Sequence, residues 1–146
     1  IFLTSSADST IKVWSFSEKQ NDVKEELCIQ PTNLWAPVND VSWSPCIATL
    51  FALVTACGRV ELWDIAHSTL DPVASIVAAP PWSATALVNE RTTVTFAENG
   101  SILIVGDERG NSEVYSLSQI LGCTPAAAVS HFKENGPAVL KRCLRT

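Results

Sequence analysis

Apolar and polar residues alternate over Pro37–Trp43, with Val38, Val41 and Trp43 separated by Asn39, Asp40 and Ser42. Period two predicts a half-buried strand. Ser44-Pro45 ends it, because proline cannot donate to a ladder. Leu50–Ala56 is apolar almost throughout, as a strand covered on both faces would be. Cys57-Gly58 predicts a turn, and Arg59–Ile65 alternates again, with Val60, Leu62 and Ile65 between Arg59, Glu61 and Asp64.

The same profile recurs on either side. Phe2–Trp14 lies over Phe51–Trp63, with Ala7 on Ala56, Ser9 on Gly58 and Trp14 on Trp63. Downstream, Thr92–Phe96 lies over Asn39–Trp43, and Ile102–Gly106 over the apolar run. Gly110–Tyr115 lies over Gly58–Trp63. A unit of roughly 50 residues made of short strands is the pattern of a propeller blade. Outer strands are expected at Val23–Gln30 and Asp71–Val77. The first carries Lys24, Glu25 and Glu26, the usual defence of a free edge, and the second has Pro72 at its edge.

On these residues the chain resembles the WD-repeat family. The motifs are Asp8 in a turn followed by Ile11-Lys12-Val13-Trp14, then Val60-Glu61-Leu62-Trp63-Asp64, then Glu113-Val114-Tyr115 after the Gly110 turn. More narrowly it is similar to dynein intermediate chains, the axonemal ones above all. That likeness lies in Pro37-Val38-Asn39-Asp40-Val41-Ser42-Trp43-Ser44-Pro45, Thr49–Thr55 and Val105–Gly110. The expected fold is all-β: about three four-stranded antiparallel blades of a larger propeller, about seven-bladed in all. A partial blade is expected over 1–31, a full blade over 32–79, a blade without a clear outer strand over 80–122, and a tail or closing segment over 123–146. The chain begins in a second strand, so it is expected to be the C-terminal part of a longer protein, and three blades alone should expose both end faces. In the WD-repeat family the turn aspartate often joins a network with the tryptophan and a histidine. Asp8 and Trp14 are present here, whereas Cys57 and Arg109 stand at the aspartate position of the other two units.

Composition narrows the function. Hydrophobic residues make up 47% and charged residues 17%, a folded composition. A net charge of −5 without a basic stripe argues against nucleic acid or an anionic membrane as partner. Five cysteines without CxxC spacing predict neither a zinc site nor a disulfide framework; Cys46 and Cys57 are expected to be buried, reduced thiols. His67 and His131 sit in no catalytic motif, there is no phosphate-cradling glycine loop, and Asp107-Glu108 reads as a solvated turn rather than a metal site. No enzyme, cofactor, metal or small-molecule substrate is expected.

The candidate recognition residues are Trp35 and Pro37 in one inter-blade loop and Pro81 and Trp82 in the next. Two loops of like composition at equivalent places would share one face of a propeller. The dynein resemblance implies a non-catalytic scaffold that binds a dynein heavy chain, another intermediate chain and light chains. It implies assembly and docking in the cytoplasm, on the cytoskeleton and in the axoneme of cilia or flagella. The alternative is a WD-repeat adaptor unrelated to dynein. Lys133, Lys141, Arg142 and Arg145 make the C-terminal end mildly basic, and Val139, Leu140, Cys143 and Leu144 fall at helical spacing.

Overall fold

The computed structural model describes residues 1–31, 36–77 and 89–121. Ten strands form three antiparallel sheets among the described residues. The first holds β1 (Phe2–Ser5), β2 (Ile11–Ser17) and β3 (Asp22–Ile29). The second holds β4 (Val38–Trp43), β5 (Leu50–Thr55), β6 (Arg59–Asp64) and β7 (Ala74–Val77) in that order. The third holds β8 (Arg91–Phe96), β9 (Ile102–Asp107) and β10 (Ser112–Ser116). One helical turn, α1 (Leu117–Ile120), follows. The expected tail, 123–146, lies outside the described residues.

The repeat holds in register. Phe2 pairs with Trp14, Phe51 with Trp63 and Leu103 with Tyr115, so the aromatic residue closes the same rung in each sheet. Phe2 stacks on Trp14 at 6.3 Å, and Phe51 on Trp63 at 6.4 Å. Two cores lie between the sheets. Ile11, Val13 and Ile29 meet Val38, Phe51, Leu53, Trp63 and Ile65. Leu50, Ala52, Val54, Val60 and Leu62 meet Val94, Phe96, Leu103, Val105 and Leu117. Alternate residues of β5 therefore feed opposite cores, which is why it is buried at every position. Truncating Phe51 to Ala would remove about 3–5 kcal/mol of that packing.

Several expectations are corrected. β6 is not half-polar: Glu61 and Asp64 are buried with the rest, because sheets cover both faces. β7 begins at Ala74 rather than Asp71. Pro72 has no N–H to donate, and the Val73 N–H bonds the Leu62 carbonyl before regular pairing starts. Cys46 is exposed and Cys57 half-buried; both are free, as is the exposed Cys28. Each of the first two lies in a turn, past the strand that would have buried it.

Candidate functional site

The β1–β2, β5–β6 and β9–β10 turns lie at one end of the sheets, and all three share a positive φ and a backbone bond at equivalent positions. Ser9, Gly58 and Gly110 occupy the same place with φ of 66°, 77° and 83°. Their N–H groups bond the carbonyls of Ser6, Thr55 and Asp107. The side-chain oxygen at that last position organises each turn. Ser6 Oγ accepts from Asp8 N, and Thr55 Oγ1 from Arg59 N. Asp107 Oδ1 accepts from Arg109 N and Asn111 N, at 2.9 and 2.8 Å.

Asp107 is thus a buried structural acceptor, not part of a solvated turn. Asn111 also donates to it from its side chain, as does Asn89. The Asn111 hydrogen bond is the main reason its carboxyl is held below the usual carboxylate value. Asp8 is lowered likewise, chiefly by the Thr10 hydroxyl, which lies 2.7 Å away. Asp8 does not bond Trp14, however; Trp14 Nε1 donates to Thr4 Oγ1 instead.

The aromatic residues find carboxylates by another route. Trp63 Nε1 donates to Glu61 Oε2 at 3.0 Å, and the Tyr115 hydroxyl donates to Glu113 Oε2. Both are Glu-X-aromatic pairs on one face of a strand. In the first sheet Lys12 takes the glutamate's place. It sits over the Trp14 ring at 5.6 Å and pairs with Glu25 at 2.7 Å. In the third sheet Arg91 joins, with Nη2 at 2.8 Å from both Glu113 oxygens. Burial pushes the Glu113 carboxyl up, but the hydrogen bonds from Tyr115 and Arg91, with the Arg91 charge, bring it below its ordinary value. Burial and the Glu113 carboxylate push Tyr115 up to about 12. Arg91 is 2% exposed, and its Nε and Nη1 find no acceptor among the described residues.

The exits of the inter-sheet loops sit beside these turns. Ala56 N bonds the Pro37 carbonyl at 3.0 Å, and Glu108 N bonds the Glu90 carbonyl at the same distance. Pro37 is exposed there. Trp35, Pro81 and Trp82 lie outside the described residues. Sequence reasoning missed Asn39, Arg91 and Glu113, although the shared Glu-X-aromatic spacing was a visible signal for Glu113. Among the described residues, no group of His, Cys, Asp and Glu could hold a metal ion, and no helix is long and apolar enough to cross a membrane. This end of the sheets offers rigid turns and loop exits.

Three successive antiparallel sheets in one register, each packed face to face on the next, have the arrangement of blades in a propeller, as WD-repeat blades do. No protein-family model matches the chain. It is 41% identical to mouse dynein axonemal intermediate chain 4 over 117 residues, covering 80% of this chain and 13% of that protein. It is 38% identical to the Drosophila melanogaster cytoplasmic dynein 1 intermediate chain over 121 residues, 83% of this chain and 16% of the other. To the ciliary dynein intermediate chain 2 of Heliocidaris crassispina it is 30% identical over 152 aligned positions, 99% of this chain and 20% of that one. Dynein intermediate chains are thus homologues of this chain over most of its length. The chain spans a fifth or less of the length of these relatives.

Proposed function

We propose that the chain contributes propeller blades to a non-catalytic scaffold subunit of a dynein motor complex, an intermediate chain. The observation that carries the reading is similarity to both axonemal and cytoplasmic dynein intermediate chains across 80% or more of this chain. The repeat geometry supplies the mechanism. Stiff sheets fix the loops, and the loops select partners. The partners in this reading are a dynein heavy chain, a second intermediate chain and light chains. The setting is the cytoplasm and cytoskeleton, with the axoneme of cilia or flagella as the specific site. ATP hydrolysis belongs to the heavy chain, and this subunit positions it. Trp35, Pro37, Pro81 and Trp82 form the docking surface, and the blades divide near residues 31, 79 and 122.

Affinity purification of the tagged full-length protein from ciliated cells tests this. Recovery of a dynein heavy chain is expected. Recovery of other assemblies without any heavy chain overturns the reading and favours an unrelated adaptor. Trp35→Ala with Trp82→Ala should lower heavy-chain recovery while leaving circular dichroism unchanged; loss of the folded signal would make both tryptophans core residues.

A further inference from the structure

β8 is an edge strand: it is bonded to β9 on one side and, among the described residues, to no strand on the other. A free edge inside a packed structure leaves backbone donors and acceptors that need partners. Two adjacent side chains of the second sheet supply them. Asn39 Nδ2 donates to the Arg91 carbonyl at 2.7 Å and to Glu90 Oε1 at 2.8 Å. Asp40 Oδ2 accepts from Val94 N at 2.9 Å and from the Thr93 hydroxyl at 3.0 Å. Its other oxygen accepts from Val41 N at 2.9 Å, which fixes the carboxylate's orientation. Both Asn39 contacts are acceptors, so its amide can only face them with nitrogen.

A β-bulge makes this reach possible. The β4–β5 register shifts between Val38 and Asp40, so an extra residue sits in β4 and successive side chains no longer alternate cleanly. β8 carries the matching bulge between Arg91 and Thr93. There, however, the equivalent residues are Thr92 and Thr93. The Thr92 hydroxyl bonds the Gly106 carbonyl of its own sheet, and the Thr93 hydroxyl bonds back to Asp40. Of these two bulges, the one bearing the Asn-Asp pair is the one that reaches forward to the next sheet.

We propose that Asn39 and Asp40 are positioning residues: they seal the free edge of β8, lock the third sheet to the second, and set the spacing between the loop exits at Pro37 and Glu90. The Asn39–Glu90 bond joins the two exits directly, since Asn39 stands two residues past Pro37. Presentation of a docking surface by two neighbouring loops then depends on this pair. That last step rests on the scaffold reading above; the edge seal does not.

Hydrogen exchange followed by mass spectrometry or NMR on the full-length protein tests the seal. Asp40→Ala should speed exchange at the Val94 amide at least about tenfold, the loss expected for a hydrogen bond to a charged acceptor. Leu103 and Val105 amides in β9 should be unchanged. Asp40→Asn keeps one acceptor oxygen and should fall between. Asn39→Asp sets a carboxylate against Glu90 and the Arg91 carbonyl and should loosen the same edge. Adding Glu90→Gln should restore part of the protection, because the amide introduced at position 90 can donate to the carboxylate introduced at position 39. Unchanged Val94 exchange in Asp40→Ala, or no recovery in the double variant, overturns the seal. Heavy-chain recovery with Asp40→Ala tests the link to docking: a fall of several-fold is expected, and full recovery beside a loosened Val94 overturns it. If the unsubstituted protein captures no heavy chain, the scaffold reading fails while the exchange result stands.

Discussion

Glu113→Ala and Arg91→Met should differ sharply in cost, although each breaks the same ion pair. The Arg91 side chain is 3% exposed and the Glu113 side chain 43%. Glu113 takes both of its Arg91 bonds through Nη2 and is the carboxylate that bonds the buried guanidinium, while the Asp107 carboxylate also acts on its charge. Removing one partner of a fully buried pair costs about 3–5 kcal/mol, mostly for the charge left behind. The half-open position of Glu113 lets water reach part of the gap, so about 2–3 kcal/mol is expected for Glu113→Ala. Arg91→Met works the other way. It removes a buried cation two of whose donor nitrogens already lack acceptors among the described residues, and leaves a carboxylate that water and Tyr115 can satisfy. The second sheet has Val38 at the equivalent place, so the site accepts an apolar side chain. The cost should be below about 1 kcal/mol, and the double variant should be more stable than Glu113→Ala alone. Urea titration of the purified protein reads all three. If Arg91→Met costs as much as Glu113→Ala, or the double variant is the least stable, the pair is a net stabiliser and this reasoning is wrong.

Gly106→Ala places a Cβ 2.7 Å from Thr93 Cγ2, and Thr93 cannot turn away without releasing Asp40; a loss of about 1–3 kcal/mol is expected. Adding Thr93→Ser, which drops the methyl and keeps the hydroxyl, should return most of it, as thermal unfolding would show. Gly110→Ala meets no atom within 4 Å yet keeps a φ of 83°, so it should cost about 1 kcal/mol from backbone strain alone. Ser9→Gly at the matching turn should cost nothing or stabilise slightly, and comparison of the two melting temperatures checks the pair. Asp8, Asp107 and Glu113 have carboxyls lowered by folding, so their stabilisation is complete at neutral pH and is lost as pH falls below about 4. Tyr115 is raised from 10.0 to about 12, so its contribution is present below 10.0 and is lost as pH climbs between the two values. Melting temperature against pH should show both limbs, with Tyr115→Phe weakening the alkaline one and leaving the part that Lys12, raised by its bond to Glu25, contributes.

The strands were legible because both faces of each sheet are set by side-chain period. β4, β5, β8 and β9 follow the apolar pattern to within a residue or two. The turns were legible through Ser9, Gly58 and Gly110, where a positive φ favours small residues. Polar burial was less visible. Glu61 looks like a solvent-facing residue in a period-two strand, and only the packing of a neighbouring sheet turns it inward against Trp63. Asp107 is hidden for a similar reason: composition marks Asp107-Glu108-Arg109-Gly110 as a polar turn, but not which oxygen the backbone wraps around. Asn39 and Asp40 were visible as part of a resemblance, and their role became physical only when the bulge aimed them at β8.

The inter-sheet faces follow one rule, and it shows what the two ends of the stack require. Each buried interface sets a face of small and branched residues against one bearing the closing aromatic pair or its equivalent. Ile11 and Val13 lie under Phe51 and Trp63, and Ala52 and Leu62 lie under Leu103 and Tyr115. By register, Phe2, Trp14 and Phe16 form an aromatic-bearing face of that second kind, and Ile104 and Val114 belong to one of the first. Phe2 and Phe16 are 44% and 51% exposed, and Val114 is 67% exposed. No sheet among the described residues covers either face, and exposed apolar residues grouped on one face suit an apolar partner surface. The uncovered aromatic face suits a sheet of branched residues, and the uncovered branched face suits a sheet closed by an aromatic. Repeat stacking therefore sets the order of blades through their faces, while the polar departures from the repeat, at Asn39, Asp40 and Arg91, gather where the second and third sheets meet. An apolar rule that treats every interface alike cannot distinguish one junction from another. The residues that break it are the ones able to give this junction a geometry of its own, beside the loops proposed to meet a partner.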